Sequence, residues 1–173
     1  MVPTVDAYTP REIAHKIETL GVTKARSDML TLLVLAVLAG AFIALGALFF
    51  TVVVTRPVLG FGVSRLVGGV AFSLGLVLVI IGGAELFTGN NLVAMAWASR
   101  RITSAELARN WVLVYLGNAL GALGTVGLVL LGDVAQVGNG AVRETALAIG
   151  RHKAALGAIE ALALGVLLSL IHI

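Results

Sequence analysis

The stretch Gly82-Gly83-Ala84-Glu85-Leu86-Phe87-Thr88-Gly89-Asn90-Asn91 decides the fold, because it places polar groups inside a hydrophobic run that extends from Leu66 to Ser99. Before it, residues 66–84 are 19 uncharged residues, close to the ~20 that a spanning helix needs. After it, residues 92–99 are too few to span alone. Irregular backbone at membrane depth is tolerated only where it is buried in protein or lines a water-filled cavity. We therefore predict one broken transmembrane passage with a transport site at the break.

The composition is that of a membrane protein with several helices. Of the 173 residues, 59% are hydrophobic and 12% are charged, which excludes an ordinary soluble domain. Long uncharged runs cover residues 29–55, 66–84 and 110–132. The chain has no cysteine, which excludes disulfides and cysteine-ligated metals. Its net charge of +3 comes from basic residues that flank the hydrophobic runs. The lipid bilayer, and not a nucleic acid, is therefore the expected partner.

A short amphipathic helix is predicted before the first hydrophobic run, within a polar amino-terminal tail of residues 1–28. Thr9 can cap this helix, Pro10 suits the first helical position, and Gly21 is expected to end it. Its apolar side chains recur on one face, at Ile13, Ile17 and Leu20. We interpret it as an interfacial helix that lies on the bilayer.

The transmembrane domain is expected to cover residues 29–167. Its first helix covers residues 29–55, and the helix after the broken passage continues to Gly132. Residues 133–150 contain Gly and Asn and are expected to form a loop, with a fourth helix from about His152. Glycines spaced by three and four residues along the third helix are typical of close helix packing in lipid. They are Gly117, Gly121, Gly124 and Gly127.

The segment Gly83–Asn90 resembles the looped break in the second helix of the formate/nitrite transporter family. Neighbouring positions agree with the same family: the segment Arg65–Leu76, Asn110, Trp111, Tyr115, Gly117 and Asn118. The resemblance is collinear and extends from about Gly21 to Leu167.

This resemblance implies an all-α, polytopic, aquaporin-like fold built from two inverted three-helix repeats. The chain would contain the first repeat, whose second helix is broken, and the start of the fourth helix. The resemblance also implies transport of a small monovalent anion, formate first and nitrite second, either passive or coupled to protons. In the family each protomer has its own pore and five protomers assemble, so a homopentamer is expected. The amino-terminal helix would then have a second possible role, which is to gate the mouth of the pore.

Thr88 is the polar group of the break that is expected to face the permeating anion. A hydroxyl can donate a hydrogen bond to an anion without trapping it as a fixed positive charge would. The family places its loop threonine at the centre of the pore. The alternative is that Thr88 caps a short half-helix that begins near Asn90, since Thr and Asn are favoured at that position.

Four apolar residues are candidates for constrictions of the pathway, where dewetting would exclude large hydrated ions. They are Leu86 and Phe87 in the break and Phe72 and Leu76 in the preceding half-helix. Phe72 and Leu76 are four residues apart and so share one helical face. Ordinary packing is the alternative, and the resemblance favours the pore role most clearly for Leu76 and Leu86.

Glu85 is an acidic residue at membrane depth, and such residues are functional candidates by default. A carboxylate in the path of an anion would repel it, so we favour a structural role. Glu85 is expected to accept hydrogen bonds from loop amides or from a side chain of the second repeat. Gly89, Asn90 and Asn91 are expected to shape the same loop, the asparagines by satisfying its backbone groups.

Lys24 and Lys153 flank the membrane on opposite sides. Each resembles a family lysine that draws anions towards the pore, and an ordinary interfacial lysine is the alternative. Seven of the twelve Lys and Arg residues lie in the amino-terminal tail or around Arg100. This distribution and the resemblance both favour a cytoplasmic amino terminus in the inner membrane.

Nothing in the sequence indicates an enzyme or a cofactor. His15, His152 and His172 lie outside the uncharged runs, where they cannot ligate a haem within the membrane. No phosphate-binding loop is present. Two other functions stay open: a channel for neutral solutes or water, and a membrane anchor subunit that transports nothing.

The end of the chain departs from the family pattern. The similarity holds through residues 152–153 and 164–167 and then fails, and Asn is expected where Ser169 stands. The last six residues, 168–173, are also what results when the transposon end used in a common sequencing-library method is translated in frame. We therefore expect a truncated gene with an artefactual tail, and a central pore histidine outside this chain.

Overall fold

The computed structural model describes residues 8–56 and 60–171, the last four of them by their backbone. This part of the chain is helical, and no strand occurs within it. Its helices are α1 (Pro10–Ala25), α2 (Met29–Val54), α3 (Phe61–Ile81), α4 (Phe87–Asn90), α5 (Val93–Ala98), α6 (Ser104–Leu131), α7 (Ala141–Ala154) and α8 (Ala158–Ile171), with a 3₁₀ turn at Val134–Gln136. Residues 1–7, 57–59 and 172–173 lie outside the described residues, and so does His172, one of the three histidines considered above.

Three of the helices are long and apolar enough to cross a membrane: α2, α3 and α6. They have 26, 21 and 28 residues, and ~20 residues suffice to span the hydrocarbon. The predicted multi-pass organisation is therefore confirmed. The second passage is interrupted as expected: α3 ends at Ile81, and the short helices α4 and α5 follow. Residues 82–86, between α3 and α4, are called the break below.

Helix α2 is the centre of the bundle, because glycines let it approach both α3 and α6. A Cβ atom at Gly40 would lie 2.0 Å from the carbonyl oxygen of Asn118 in α6. One at Gly46 would lie 2.7 Å from the carbonyl oxygen of Phe72 in α3. Real Cβ atoms do not come so close to backbone, so only glycine allows these approaches, as expected for helices that pack in lipid.

The predicted glycine stripe on α6 is confirmed at two of its four positions. A Cβ at Gly117 would lie 2.5 Å from the Cβ of Ala36, and one at Gly121 would lie 1.9 Å from the carbonyl oxygen of Val37. Gly124 and Gly127 face open space. The close approach to α2 therefore occurs at Gly117 and Gly121, whereas Gly124 and Gly127 do not take part in it.

Helix α1 begins as predicted but does not end at Gly21. Thr9 and Glu12 form a capping box, and hydrogen bonds from Thr9 lower the pKa of Glu12. The helix continues to Ala25, because Gly21 packs against α5, where its Cβ would lie 3.0 Å from the Cβ of Ala96. The buried face of α1 consists of Gly21 and Ala25, whereas the predicted apolar face, which includes Ile13, is largely exposed.

The loop predicted for residues 133–150 is mostly helix, and the fourth helix begins later than expected. Gly138, Asn139 and Gly140 have positive φ angles and form the actual connection. Helix α7 then begins at Ala141 and α8 begins at Ala158, not near His152. Gly138 and Gly140 do indicate a turn, but the residues that follow them are helix formers, and the predicted loop was therefore too long. In α8, residues 158–167 are all exposed.

The two ends of the bundle are called the near end, where α1 lies, and the far end, where α7 lies. Helix α2 begins at the near end, and a connection of three residues, 26–28, separates it from α1. It reaches the far end at Thr55, whose hydroxyl donates a hydrogen bond to that of Thr145 in α7 over 3.0 Å. Lys24 and Lys153 therefore lie at opposite ends, as the sequence predicts.

Candidate functional site

The break begins with a tight turn that ends α3 inside the bundle. Gly83 has a φ angle of +59°, a conformation that favours glycine. The N–H of Ala84 donates to the carbonyl of Val79 over 2.9 Å, and that of Gly83 donates to Ile80 over 3.3 Å. This pair of bonds is the Schellman arrangement, which satisfies the last carbonyls of a helix without further protein contacts.

The break lies at depth, beside the middle of α6. Asn118 is the fifteenth of the 28 residues of α6. Its amide nitrogen donates to the carbonyls of Ala36 and Glu85 over 2.8 and 2.9 Å. Its oxygen accepts the N–H of Phe87 over 2.8 Å. One side chain thus satisfies a backbone group in the break and another at the start of α4, and it ties the break to α2.

A second tie joins the break directly to α2. The N–H of Glu85 donates to the carbonyl of Leu35 over 3.2 Å. In hydrocarbon each unsatisfied backbone group costs several kcal/mol, so these bonds are what allow a non-helical backbone at this depth. In the sequence, Asn118 is indicated only by the family resemblance. The overlooked signal was a carboxamide in the middle of an apolar helix, next to the packing residue Gly117.

Glu85 forms an ion pair with Lys24 of α1. The Lys24 Nζ lies 2.8 Å from Glu85 Oε2, and the side chains are 34% and 13% exposed. Lys24 also donates to Asn90 Oδ1 over 3.2 Å. The structural role predicted for Glu85 therefore has a different partner from those expected, which were loop amides or the second repeat. Lys24 is likewise not an ordinary interfacial lysine, since it bonds to the break.

The contact between Lys24 and Asn90 belongs to a closed circuit of hydrogen bonds. Asn90 Nδ2 donates to Asn110 Oδ1 over 3.1 Å, and Asn110 Nδ2 donates back to the carbonyl of Lys24 over 3.1 Å. The indole of Trp111 donates to the carbonyl of Asn90 over 3.0 Å. Asn90 and Asn110 are completely buried. We call Lys24, Glu85, Asn90 and Asn110 the Lys24 network; it fixes α1 against the break and α6.

Thr88 is exposed, and it does not cap a helix. Helix α4 begins at Phe87, so Thr88 is its second residue, and Leu86 occupies the capping position without a side-chain bond. The capping role considered for Thr88, at a half-helix that begins near Asn90, is therefore wrong. The Thr88 side chain is exposed next to the break.

Two residues predicted to shape the loop do not do so. Asn91 is exposed, and its side chain makes no hydrogen bond within the described part of the chain; Asn118 has the function expected of it. Gly89 lies within α4, and a Cβ there would meet nothing within 4 Å. The glycine that the loop requires is Gly83, because of its positive φ angle.

The apolar candidates differ in their surroundings. The ring of Phe87 makes edge contacts with Trp111 and Tyr115, with centroids 6.4 and 5.5 Å apart. These contacts anchor Phe87 on α6 and favour the packing alternative for it. Leu86, Phe72 and Leu76 are half-buried. The chain encloses none of these three side chains, so part of each side chain stays accessible.

Lys153 has a different environment from Lys24. It lies near the end of α7 and is exposed. The ion pairs found among the described residues involve Glu18, Glu85 and Glu106, and none of them includes Lys153. No group of three His, Asp or Glu side chains in the same residues is arranged to hold a metal ion. The site therefore contains the hydroxyl of Thr88, side-chain amides, lysine ammonium groups and the carboxylate of Glu85, whose charge is paired with that of Lys24.

Known proteins match the chain over most of its length. A family model described as formate/nitrite transporter matches residues 11–169. The formate channel FocA of Escherichia coli (strain K12) is 40% identical over 166 residues, which cover 95% of this chain and 58% of the relative. The formate channel FocA of Haemophilus influenzae is 36% identical and covers 93% of this chain and 57% of the relative. The chain thus spans less than two thirds of the length of these relatives.

Solved structures are similar as well. A pentameric formate channel with formate bound has a TM-score of 0.70 and 32% identity, covering 93% of this chain and 58% of that one. An FNT family ion channel has a TM-score of 0.65 and 27% identity, covering 71% of this chain and 50% of that one.

These likenesses confirm the predicted fold class, an all-α polytopic membrane protein of aquaporin-like architecture. Helix α2, the broken passage α3–α5 and α6 are the three passages of this architecture in the described residues, and α8 is a further, shorter apolar helix. The family match ends at residue 169, within the tail 168–173. The artefactual nature of that tail stays a prediction.

Proposed function

Because this chain belongs to the formate/nitrite transporter family, we propose that it forms part of a pathway that carries formate across a membrane, with nitrite as the second candidate. The observation that supports this most is the break. Its backbone is held at depth by Asn118 and by the Lys24 network. Thr88, directly after the break, is exposed. Irregular backbone of this kind is expected where it lines a cavity.

In this proposal the hydroxyl of Thr88 donates a hydrogen bond to the passing anion. The backbone N–H of Phe87, at the start of α4, is already bonded to Asn118 and is not free for the anion. The carboxylate of Glu85 would repel an anion, but its pairing with Lys24 offsets that repulsion. The break can therefore be polar without being negative.

The remaining parts of the pathway are assigned in the same proposal. Leu86, Leu76 and Phe72 supply apolar surface that removes most of the water from the anion. Lys24 at the near end and Lys153 at the far end enrich anions at the two mouths. Lys153 is the stronger attractor of the two, since none of the ion pairs among the described residues includes it, whereas Lys24 is paired with Glu85. A proton can accompany the anion.

The proposal includes the assembly and its location. The relative with formate bound is described as pentameric, and we propose a homopentamer in the inner membrane with a cytoplasmic amino terminus. We also propose that the protein is not an enzyme, since the named relatives are channels and transporters.

The test compares two substitutions at Thr88 in the protein produced from its native locus. Thr88→Val keeps the shape of the side chain and removes its donor. Formate flux into proteoliposomes should fall about tenfold to a hundredfold, since a hydrogen bond to a charged group contributes about 1.5–3 kcal/mol. Thr88→Ser keeps the hydroxyl and should retain most of the flux. Wild-type flux in Thr88→Val would exclude Thr88 as the donor, and absence of formate flux in the wild type would overturn the proposed function.

A further inference from the structure

A second polar site lies at the far end, between the end of α2, the start of α3 and α7. It is a cavity of about 540 Å³. Its walls, which define the basic cavity, are Val54, Phe61, Ser64, Arg65, Thr145, Ala148, Ile149, His152 and Lys153. Helix α2 ends and α3 begins beside it, so it opens where the hydrophobic spans meet the membrane surface.

The basic cavity is lined by cationic groups without carboxylates. Arg65 and Lys153 supply two fixed positive charges, His152 lies beside them, and no Asp or Glu is in the wall. Within the described residues neither Arg65 nor Lys153 takes part in an ion pair. The near end is arranged differently, since Lys24 and Arg26 there are each paired with a glutamate. Unpaired cations around a concave wall are the chemistry that recognises a phosphate group.

Arg65 is fixed in place by aromatic rings. Its guanidinium carbon lies 5.7 Å from the centroid of Phe50 and 5.2 Å from that of Phe61. Cation–π contacts hold the plane of the guanidinium, and they use none of its N–H donors. The planar fork of an arginine matches two oxygens of one phosphate group. Arg65 is therefore oriented without its hydrogen-bonding capacity being spent.

The surface around the cavity is apolar, which indicates an amphipathic ligand. Phe61 and Leu66 are 77% and 69% exposed and lie four residues before and one residue after Arg65. Both residues belong to the membrane-spanning helix α3, so the cavity lies next to the acyl chains of the bilayer, from which a phospholipid can place its phosphate group against Arg65. We propose that the basic cavity binds the phosphate group of an anionic phospholipid, with Arg65 as its main contact.

The test measures lipid binding by the purified full chain in detergent. The probes are phosphatidylglycerol and phosphatidylcholine of the same acyl composition, and the readouts are retained lipid by native mass spectrometry and the shift in Tm. We expect phosphatidylglycerol to bind at least tenfold more tightly. Arg65→Gln should remove most of that preference, and Arg65→Lys should keep part of it. Arg151→Gln, on the same helix as Lys153 but outside the wall, should bind as the wild type does.

Three results would overturn the proposal. The first is equal binding of the two lipids by the wild type, which needs no variant and so decides the matter even if Arg65→Gln fails to fold. The second is a folded Arg65→Gln variant, with wild-type helix content, that keeps the full preference. The third is displacement of phosphatidylglycerol by inorganic phosphate at equal concentration, which would make the cavity a site for free anions. Phosphatidylglycerol retained against inorganic phosphate supports the lipid as ligand.

Discussion

Lys24 and Lys153 occupy matching positions in the chain and have different environments. Each is the residue before the last of an amphipathic helix, α1 ending at Ala25 and α7 ending at Ala154. Each of these helices is followed closely by an apolar helix, α2 or α8. Lys24 is nevertheless bonded to Glu85 and Asn90, whereas Lys153 is exposed and lies in the wall of a cavity without carboxylates.

The break, and not the helix that carries the lysine, determines which partners the lysine has. At the near end, the turn at Gly83 brings Glu85 and Asn90 to α1. At the far end, no described carboxylate faces Lys153 within the distance of an ion pair. Removing the supports of the break should therefore change the near end alone.

Replacing Asn118 should have the largest effect. Asn118→Leu leaves the carbonyl of Glu85 and the N–H of Phe87 without partners, whereas the carbonyl of Ala36 keeps its bond within α2. Each buried unsatisfied group costs about 1–3 kcal/mol, so the free energy of unfolding in detergent should fall by about 2–5 kcal/mol. Asn91→Ala is the matched control, since Asn91 is exposed; it should change stability by less than about 0.5 kcal/mol. Equal effects of the two variants would contradict the assigned role of Asn118.

Replacing one lysine or the other should separate the two ends directly. Lys24→Met leaves the carboxylate of Glu85 unpaired and should cost about 1–3 kcal/mol, less than a fully buried pair because Lys24 is 34% exposed. Lys153→Met should cost less than about 0.5 kcal/mol. Adding Glu85→Leu to Lys24→Met should recover part of the loss. A double variant with the sum of the two single losses would show that the pair is not coupled.

Replacing glycines in and after the break should have a smaller effect. Gly83→Ala forces a side chain into a positive φ angle, at a cost of about 1–2 kcal/mol. Gly89→Ala lies in a helical turn with open space around its Cβ, so it should be neutral or slightly stabilising. Thermal unfolding of the two variants measures the difference. A greater loss of stability in Gly89→Ala would show that the turn is wrongly placed.

The smallest expected effect is at the amino-terminal caps of the amphipathic helices α1 and α7, which differ in their side-chain bonds. Hydrogen bonds from Thr9 lower the pKa of Glu12 below its ordinary value of 4.5. The stabilisation is therefore present above that value and is lost as the pH falls through the lower, folded-state pKa. Protection of the first-turn amides of α1 against hydrogen exchange should weaken in that range. Helix α7 has Gly140 at its cap without a side-chain bond; an equal weakening there would contradict the assigned role of Glu12.

The sequence predicted the passages and the break because both depend on local composition. Uncharged runs of sufficient length predict α2, α3 and α6, and the polar residues around Glu85 predict the interruption. The partners of the break could not be predicted, since they are far away in the chain: Lys24 pairs with Glu85 over 61 residues and Asn118 bonds to Phe87 over 31. Hydropathy also gives no information on α7. Gly138 and Gly140, just before it, indicate a loop, although a helix follows them directly.

In the proposed function, Thr88 faces an aqueous pathway at membrane depth. The absence of native cysteine allows a direct measurement, the labelling of single-cysteine variants in membranes by a charged, water-soluble thiol reagent. Thr88→Cys should be labelled rapidly. Val70→Cys, in the middle of the apolar α3, and Ala96→Cys, completely buried in α5, should not be labelled. Labelling of Thr88→Cys no faster than that of Val70→Cys and Ala96→Cys would contradict the account.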